Sequence, residues 1–332
     1  MTGTRSARLR TLHSALATPA PLTRVSLTPG PLTPGPLTPG VEAPPLSDRE
    51  FVLLRDLIHR EAGIHLTGAK KALMVARLSR RLRALGLRSF AAYFELVDGP
   101  GGAQERVQLL DAISTNETSF FRERKHFELL EREVLPAWRQ EAATGRRPRC
   151  VRAWSAGCST GEEPYSLAMV LLQQLPPSEG WQIEILATDL STRVLERARA
   201  GVWPIEKAEA IPGDYRRAFM LRGVRDQEGT MKAGPELRAV VRFAQLNLHA
   251  ESYAVPRGCD LLFCRNVLIY FDQPTRVGIT SRLISHLQPG GFLFLGHAET
   301  LHATGSTELV TVIPTVYLRR GPERSDERGR RL

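Results

Sequence analysis

Apolar residues recur at a helical spacing over the first part of the chain. Ser47 and Glu50 have the spacing of a capping box, and the apolar residues of the stretch 51–58 fall on one face of the helix that would follow. Similar patterns continue to about Trp138. The sequence therefore predicts an all-helical domain over residues 46–138.

The period of the apolar pattern changes after Gly145. Short apolar runs with strand character then alternate with helix-like segments, and these runs cover residues 151–156, 183–188, 240–246, 261–264 and 292–295. Such alternation predicts a mostly parallel sheet with helices on both faces, in a second domain over residues 139–320. A last run, 309–318, contains a proline and is predicted as an antiparallel edge strand.

One stretch of the second domain interrupts this alternation. Residues 201–238 contain several glycines and short apolar runs, a combination that is typical of hairpins. We therefore predict a small inserted β-subdomain over about residues 201–245.

The two ends of the chain differ in composition from the interior. The first 45 residues hold nine of the 23 prolines and repeat the unit Leu-Thr-Pro-Gly-Pro, which supports neither a helix nor a sheet. We predict a disordered Pro-rich tail over residues 1–45 and a flexible C-terminal tail over 321–332. A docking role for the first tail is the less favoured interpretation.

Composition limits the class of partner. The chain has 332 residues, 42% of them hydrophobic and 24% charged, which is enough for about two domains with their own cores. Lys and Arg number 45 against 35 Asp and Glu, a net charge of +10. This excess favours a negatively charged partner, and nucleic acid, an acidic membrane and an acidic protein all satisfy it at this point.

Cysteine positions and hydropathy disfavour several kinds of site. The cysteines at positions 150, 158, 259 and 264 form neither a CxxC pair nor a Cys/His ligand set, so we expect no disulfide and no metal. No uncharged apolar run approaches the roughly 18 residues that a membrane span requires, and the N-terminus lacks a secretory apolar core. We therefore expect a soluble, cytoplasmic protein without direct membrane insertion.

Most of the excess positive charge lies in one segment of the helical domain. Residues 62–94 contain seven Lys and Arg but no Asp or Glu. On a helix, four of these cations line up along the edge of an apolar face, and they are Lys70, Arg77, Arg81 and Arg88. A solvated helix face is the alternative, but such faces usually mix both signs of charge. We therefore predict that these four residues dock an acidic partner.

The first candidate for ligand binding is the turn after the first predicted strand, because ligands of doubly wound sheets bind beyond the carboxyl ends of the strands. Gly157 and Gly161 have a Gly-x-x-x-Gly spacing, which is neither the dinucleotide fingerprint nor a P-loop. Glu162 and Glu163 follow at the start of the next helix. Their charges disfavour a phosphate and favour a cation.

Three further strand ends carry polar residues. Asp189 ends the second strand, where a Rossmann-type site holds ribose hydroxyls, although a helix cap before Ser191 is the alternative. Asn247 follows a later strand and offers an amide to an adenine edge. Arg265 and Asn266 end another strand. Burying two such polar side chains costs free energy unless they have binding partners, which suggests that they contact a ligand. A nucleoside with a cationic substituent and no phosphate fits these residues, and S-adenosylmethionine is the common cofactor of that description.

Five motifs stand in order along the chain. They are Thr-Asn-Glu-Thr-Ser-Phe-Phe-Arg-Glu at 115–123, Ser-Ala-Gly-Cys-Ser-Thr-Gly-Glu-Glu-Pro-Tyr-Ser at 155–166, Ala-Thr-Asp at 187–189, Asn-Leu at 247–248 and Cys-Arg-Asn-Val-Leu-Ile-Tyr-Phe at 264–271. Together they resemble the CheR-type chemotaxis receptor methyltransferases over about residues 47–319. The resemblance implies a Rossmann-like, S-adenosylmethionine-dependent α/β domain with an all-helical N-terminal domain and a small inserted antiparallel β-subdomain.

The resemblance also implies an activity and the residues that perform it. The family transfers a methyl group from S-adenosylmethionine to glutamate side chains of chemoreceptor helices. The implied cofactor-binding residues are Asn116, Thr118, Arg122, Glu162, Asp189, Asn247, Leu248, Arg265 and Asn266. Arg122 and Tyr270 would lie nearest the transferred methyl group, as the catalytic residues.

The same resemblance makes the acidic helical cytoplasmic region of chemoreceptors the expected partner of the basic segment. Residues 222–229 of the inserted subdomain lack the Gly-Pro loop of family members that bind a receptor C-terminal peptide, which disfavours that mode of recruitment here. A monomer is the favoured oligomeric state.

Two other functions remain as alternatives. A nucleic-acid methyltransferase would suit the basic charge, but the Asn-Pro-Pro-Tyr and Pro-Cys signatures are absent and aromatic residues do not alternate with the basic stripe. A non-catalytic adaptor that binds the cofactor as a signal would not need Arg122 and Tyr270. We therefore favour the protein methyltransferase and expect no nucleic-acid partner.

Overall fold

The structure is a computed structural model that describes residues 44–301 and 308–321. The predicted tails lie outside these residues, apart from positions 44, 45 and 321, and so they stay predictions. Within the described part, all four cysteines are free thiols and no group of side chains is arranged to hold a metal ion. None of the helices in the same residues combines the length and the apolar character that crossing a bilayer requires.

The helical domain consists of α1 (Asp48–Ala62), α2 (Lys71–Ala84), α3 (Phe90–Asp98) and α4 (Ala103–Ile113). The capping box is confirmed, since Ser47 Oγ accepts from Glu50 N at 3.2 Å and Ser47 N donates to the Glu50 carboxylate at 2.8 Å. Gly63 ends α1 in the left-handed region, with φ of 70°. Buried apolar side chains between positions 46 and 113 form one core.

Two further helices, α5 (Arg124–Leu129) and α6 (Leu135–Ala143), pack on the second domain. Phe127, Leu135 and Trp138 belong to the same hydrophobic core as the strands. Packing therefore places the end of the helical domain near residue 114 and not at the predicted residue 138. The apolar spacing of a helix does not show which core that helix joins.

The described residues form ten strands, which are β1 (Cys150–Ala156), β2 (Gln182–Asp189), β3 (Val202–Pro204), β4 (Met220–Arg222), β5 (Thr230–Ala233), β6 (Val241–Gln245), β7 (Cys259–Cys264), β8 (Leu287–Leu295), β9 (Leu309–Ile313) and β10 (Val316–Arg319). The helices among them are α7 (Glu162–Gln174), α8 (Thr192–Ala200), α9 (Gly213–Phe219), α10 (Pro235–Val240) and α11 (Gln273–His286).

Seven strands make the main sheet, in the order β6-β2-β1-β7-β8-β10-β9. The pairs from β6 to β8 are parallel, as the alternation of strands and helices predicted. The carboxyl ends of these strands therefore meet at one edge of the sheet, which is where a ligand site is expected.

Residues 309–318 form a hairpin of β9 and β10 and not the single edge strand that their pattern predicted. Pro314 and Thr315 make the turn, and Thr315 has φ of 65°. Proline suits this position because it cannot donate a ladder hydrogen bond. β10 pairs with β8, which leaves β9 at the edge.

The inserted subdomain is a three-stranded antiparallel sheet in the order β3-β5-β4. It ends at about residue 240 and not at 245, because β6 pairs in parallel with β2 in the main sheet. Trp203 of β3 anchors the subdomain to the main domain. Its ring meets Phe120 and Tyr165 edge-on, with centroids 5.0 and 5.2 Å apart.

Candidate functional site

A cavity that opens to solvent lies at the carboxyl ends of β1, β2, β6 and β7, and its volume is about 1030 Å³ with the solvent space at its mouth included. Nine of the predicted site residues line it, and they are Asn116, Thr118, Arg122, Asp189, Asn247, Leu248, Arg265, Asn266 and Tyr270. The helical domain supplies one wall through Ala62, Ile64 and Ile113.

The turn between β1 and α7 packs closely against its neighbours. Gly157 and Gly161 both have left-handed conformations, with φ of 83° and 96°. A Cβ atom on Gly157 would lie 2.4 Å from Cγ2 of Val267, so a larger residue would displace the loop after β7. The N–H groups of Gly157 and Cys158 donate to Thr188 O at 2.7 and 2.9 Å, which fixes the turn beside the end of β2.

Asp189 ends β2 with its carboxylate at the cavity. Its Oδ2 accepts from Ser159 N at 2.8 Å, and its Oδ1 accepts from Ser191 N at 2.9 Å. Burial raises the pKa of this carboxyl, and the two backbone N–H groups oppose that change. Ser191 caps α8 through its own side chain, so Asp189 is not the helix cap. Its place at the strand end suits ribose hydroxyls.

The two consecutive glutamates of α7 point in different directions. Glu162 is fully buried and does not line the cavity; its carboxylate binds Thr160 Oγ1 at 2.6 Å and the Lys207 ammonium. Glu163 lines the cavity and accepts from Ser155 Oγ at 2.7 Å. Burial raises the pKa of Glu163. The structure thus places Glu163, and not the predicted Glu162, at the cavity, since consecutive helix positions are about 100° apart.

Arg265 is the centre of a buried ionic network beside the cavity. Its side chain is 1% exposed and lies 3.2 Å from Glu123 and 3.3 Å from Glu163, while Nη2 donates to Arg122 O. Glu123 also accepts from His297 N at 3.1 Å. Burial raises the pKa of Glu123, but the charge of Arg265, the hydrogen bond from His297 N and the two nearby histidines together outweigh it and hold this pKa below its ordinary value. Arg265 therefore fixes the backbone at Arg122 as well as lining the cavity.

Glu299 holds the loop that follows β7, and no sequence pattern indicated it. Its carboxylate accepts from Asn266 N at 2.9 Å, Val267 N at 2.8 Å and Gly296 N at 2.7 Å. Asn266 has φ of 60°, a left-handed conformation that asparagine tolerates. Hydrogen bonds to an ionised acceptor are strong, so Glu299 shapes the loop that carries Asn266 and Tyr270.

A seam between the two domains runs through the cavity wall. Asn247 Nδ2 donates to Glu61 O at 2.7 Å, and Asn247 Oδ1 accepts from His249 N at 2.9 Å. His65 N donates to Tyr270 O at 2.7 Å. The amide of Asn247 thus joins the end of α1 to the loop after β6 at the place where an adenine contact was predicted.

Two of the four predicted docking cations are engaged within the protein. Arg77 donates to Thr115 Oγ1 at 2.9 Å and to Ser114 O at 3.3 Å, at the edge of the cavity. Arg81 Nε donates to Glu105 at 2.9 Å, and their side chains are only 28% and 12% exposed. Both arginines therefore already have partners within the protein, and the docking role of the stripe stays a prediction. The sequence pattern could not show this because the partners lie on α4 and on the segment after it.

His126 is a buried neutral side chain next to the Arg265 network. It is 1% exposed, its Nε2 lies 3.1 Å from Thr315 Oγ1, and burial lowers its pKa to about 4. An unfolded histidine has a pKa of about 6.5, so between these two values the unfolded chain takes up a proton that the folded chain does not. We expect this side chain to lower the free energy of unfolding by about 2 kcal/mol between about pH 7 and pH 5.

Urea unfolding at both pH values measures this effect. His126→Phe should lose less stability on acidification than the unchanged protein, whereas the exposed His65→Gln control should behave like the unchanged protein. An unaltered pH dependence in His126→Phe would contradict the assignment.

The chemistry of the cavity lining fits a cofactor that combines a ribose, a carboxylate and a cationic centre. Asp189 offers an anion at the ribose position, Glu163 adds a second acidic side chain, and Arg122 offers a guanidinium to a carboxylate. The turn before α7 has no Lys that would hold a phosphate. The residues present therefore fit S-adenosylmethionine.

Comparison with protein families agrees with this arrangement. Residues 116–316 match the family described as "CheR methyltransferase, SAM binding domain", and residues 49–114 match "CheR methyltransferase, all-alpha domain". The change from one match to the other falls at the packing boundary near residue 114. The predicted fold class and the predicted cofactor, S-adenosylmethionine, are confirmed.

Known proteins from three bacteria are similar to most of the chain. Chemotaxis protein methyltransferase 2 of Pseudomonas aeruginosa is 42% identical over 260 residues, covering 77% of this chain and 88% of that protein. The chemotaxis protein methyltransferase of Escherichia coli is 40% identical over 255 residues (76% and 85%), and that of Borreliella burgdorferi is 36% identical over 273 residues (82% and 94%). The chain therefore belongs to the CheR methyltransferase family.

Proposed function

We propose that this protein transfers the methyl group of S-adenosylmethionine to glutamate carboxylates on the cytoplasmic helices of chemoreceptors, and that it acts in the cytoplasm as a monomer. The coarser part, methyl transfer in chemotaxis, rests on the family and on the names of the relatives. The assignment of the methyl acceptor rests on the position of helix α2, which contains no acidic residue. Its Arg77 reaches the cavity edge, while Arg80 and Arg83 of the same helix are exposed.

The acceptor chemistry requires placement more than proton transfer. A glutamate carboxylate has a pKa of about 4.3 and is already a nucleophile at neutral pH, so no general base is required. When bound, S-adenosylmethionine supplies an electrophilic methyl group on a sulfonium centre. The protein has to exclude water and hold one carboxylate oxygen about 3–3.5 Å from that carbon, in line with the leaving sulfur.

Arg122 and Tyr270 are suited to that placement. Both residues line the cavity and are half-buried. Arg122 Nη1 donates to Glu117 O at 3.1 Å, which leaves further guanidinium donors for a carboxylate. Tyr270 is close enough to Arg77 to affect the pKa of that arginine, which burial lowers. An acceptor carboxylate at this point would therefore meet the Arg122 guanidinium and a phenol, with the charge of Arg77 close to that phenol.

An open groove on α2 is the surface to which we expect an acceptor helix to bind. Its walls are mostly small side chains, namely Gly68, Ala69, Ala72, Val75, Ala76 and Ser79. Arg83 lines the same groove, as does Lys71, which pairs with the exposed Asp48 at 2.7 Å; Lys70, Arg80 and Arg88 are exposed on the same acid-free segment. Small residues allow close approach of a helix, and the surrounding cations favour an acidic one. The docking surface proposed here thus replaces Arg77 and Arg81 by Arg80 and Arg83.

Reversing charge on this surface should slow methylation without weakening the cofactor. We expect the double variant Arg80→Glu/Arg83→Glu to lower kcat/KM for a receptor fragment by about tenfold or more at low salt, and to have a smaller effect at high salt. The measurement is initial methylation rate against salt concentration. Arg146→Glu/Arg149→Glu is the matched control, because those exposed arginines precede β1 at the opposite edge of the sheet. Equal losses in both double variants would contradict the docking surface.

The proposed reaction is tested with labelled S-adenosylmethionine and receptor cytoplasmic fragments. A glutamate methyl ester is base-labile, so the expected result is label in the receptor that alkali releases as methanol, and that is lost when the acceptor glutamates are changed to alanine. Label that enters only nucleic acid would overturn the proposal. Cofactor binding without transfer to any fragment would favour a non-catalytic adaptor.

A further inference from the structure

We propose that Lys207 of the inserted subdomain is a positioning residue for the cofactor site, and that it acts through the buried carboxylate of Glu162. The inference concerns cofactor affinity and does not depend on which protein is the methyl acceptor. It gives the inserted subdomain a role inside the methyltransferase domain itself.

Glu162 is a charged group without access to water. It is the first residue of α7 and is 0% exposed. Its two oxygens have different partners, because Oε2 accepts from Thr160 Oγ1 at 2.6 Å and Oε1 pairs with the ammonium of Lys207. Burying an ionised carboxylate is costly unless a counter-charge and hydrogen bonds satisfy it. Lys207 is the cation that performs this task.

Lys207 comes from a different part of the chain than its partner. It lies in the 3₁₀ turn Ile205–Ala210, which follows β3 of the inserted subdomain, and its side chain is 38% exposed. A second contact from the subdomain reaches the same turn, since Trp203 Nε1 donates to Thr160 O at 3.1 Å. The subdomain therefore holds the residues on both sides of Gly161.

The turn that is held in this way leads directly to the cavity. Ser159, next to Thr160, lines the cavity; its N–H donates to Asp189 at 2.8 Å, and its hydroxyl donates to Asn116 O at 2.9 Å. A shift of Glu162 would move Ser159 and disturb two predicted cofactor contacts at once. Coupling between two distinct sites of a protein typically changes an affinity by about 5- to 150-fold.

Removing the charge of Lys207 should weaken cofactor binding. We expect Lys207→Met to raise the Kd for S-adenosylhomocysteine, measured by calorimetry, by about tenfold. Lys207→Arg keeps the charge and should stay within about twofold of the unchanged protein. The double variant Lys207→Met/Glu162→Gln should bind more tightly than Lys207→Met alone, because it removes the unpaired carboxylate that the single variant leaves buried.

The dependence of Kd on pH separates positioning from general damage to the fold. In the Lys207→Met variant the carboxylate of Glu162 would stay buried and would lose the ammonium from its Oε1, so burial should favour its neutral form. Protonation removes the unpaired charge, so the affinity of Lys207→Met should improve as the pH falls from about 8 to about 6. The unchanged protein and the double variant should lack this particular improvement. A merely structural defect would not create a new titration.

Lys232→Met is the matched control, because Lys232 is exposed on β5 of the same subdomain. Thermal unfolding of each variant checks that it is folded, and Lys207→Gln takes the place of Lys207→Met if the methionine variant does not fold. An unchanged Kd in the folded Lys207 variant would overturn the proposal. So would a double variant that binds no better than the single one.

Discussion

Replacing Arg265 by methionine is expected to destabilise the folded protein by about 3–5 kcal/mol and to abolish cofactor binding. The Arg265 guanidinium is almost fully buried and lies between the carboxylates of Glu123 and Glu163. Methionine would leave both acids buried without a counter-charge, and it would also remove the donor to Arg122 O. Both the stability and the geometry of the cavity depend on this one side chain.

The expected loss in Arg265→Met depends on pH in a defined direction. Removal of the cation raises the pKa of both glutamates above the unfolded value of about 4.3. A carboxyl whose pKa is raised in the folded state costs stability at higher pH, and this cost disappears as the pH falls below the unfolded pKa. The difference in unfolding free energy from the unchanged protein should therefore be larger at neutral pH than at about pH 4.5.

Urea unfolding at the two pH values measures both the size and the direction of this effect. The exposed Arg257→Met is the control for loss of one positive charge, and it should change the unfolding free energy by less than about 0.5 kcal/mol. A loss below about 1 kcal/mol in Arg265→Met would show that water or another group compensates the two acids.

Replacing Arg122 by alanine should have the opposite profile, with a large loss of activity and a small loss of stability. We expect methyl transfer to fall by about 100-fold or more, because a misplaced acceptor carboxylate loses this order of rate. Stability should change little, since Arg122 is half-buried and its side chain makes one hydrogen bond, to the backbone of Glu117, within the part of the chain that the structure describes.

The measurement for Arg122→Ala is kcat and KM with a receptor fragment, together with cofactor Kd and thermal unfolding. Arg124→Ala is the matched control, because Arg124 is exposed at the start of α5 and should retain activity. Arg122→Lys keeps the charge but loses the planar fork, so its rate should fall between those of Arg122→Ala and the unchanged protein. Unchanged methyl transfer in Arg122→Ala would refute the assigned role.

Local chemistry explains which parts of the fold the sequence predicted well. The capping box at Ser47 and Glu50 is a contact over three residues, and the parallel strands are short apolar runs bounded by turn residues, so both are visible in a short window of sequence. The hairpin around Pro314 was missed because an alternating run with one proline resembles a single edge strand. The domain boundary was missed because it depends on which core receives Trp138.

In the candidate site, too, the features that depend on nearby residues were predicted, and those that depend on contacts between distant residues were not. Strand ends identified Asp189 and Arg265 as cavity residues, since parallel topology brings such ends together. Which of Glu162 and Glu163 faces the cavity depends on the rotation of helix α7 about its axis. The pairing of Arg81 depends on Glu105, which lies on another helix. Contacts between elements that are distant in sequence cannot be read from local spacing.

The seam through the cavity wall has a thermodynamic consequence. Because α1 and the segment after it complete the wall that meets Tyr270, the binding pocket exists in full only while the two domains are docked. A ligand that binds only the docked form stabilises it by RT ln(1 + [L]/Kd), which is about 2.7 kcal/mol at a hundredfold excess over Kd. The concentration of methyl donor in the cell would thus also set the stability of the docked form of the two domains. When that concentration falls, the docked form would lose stability before the rate of methyl transfer falls.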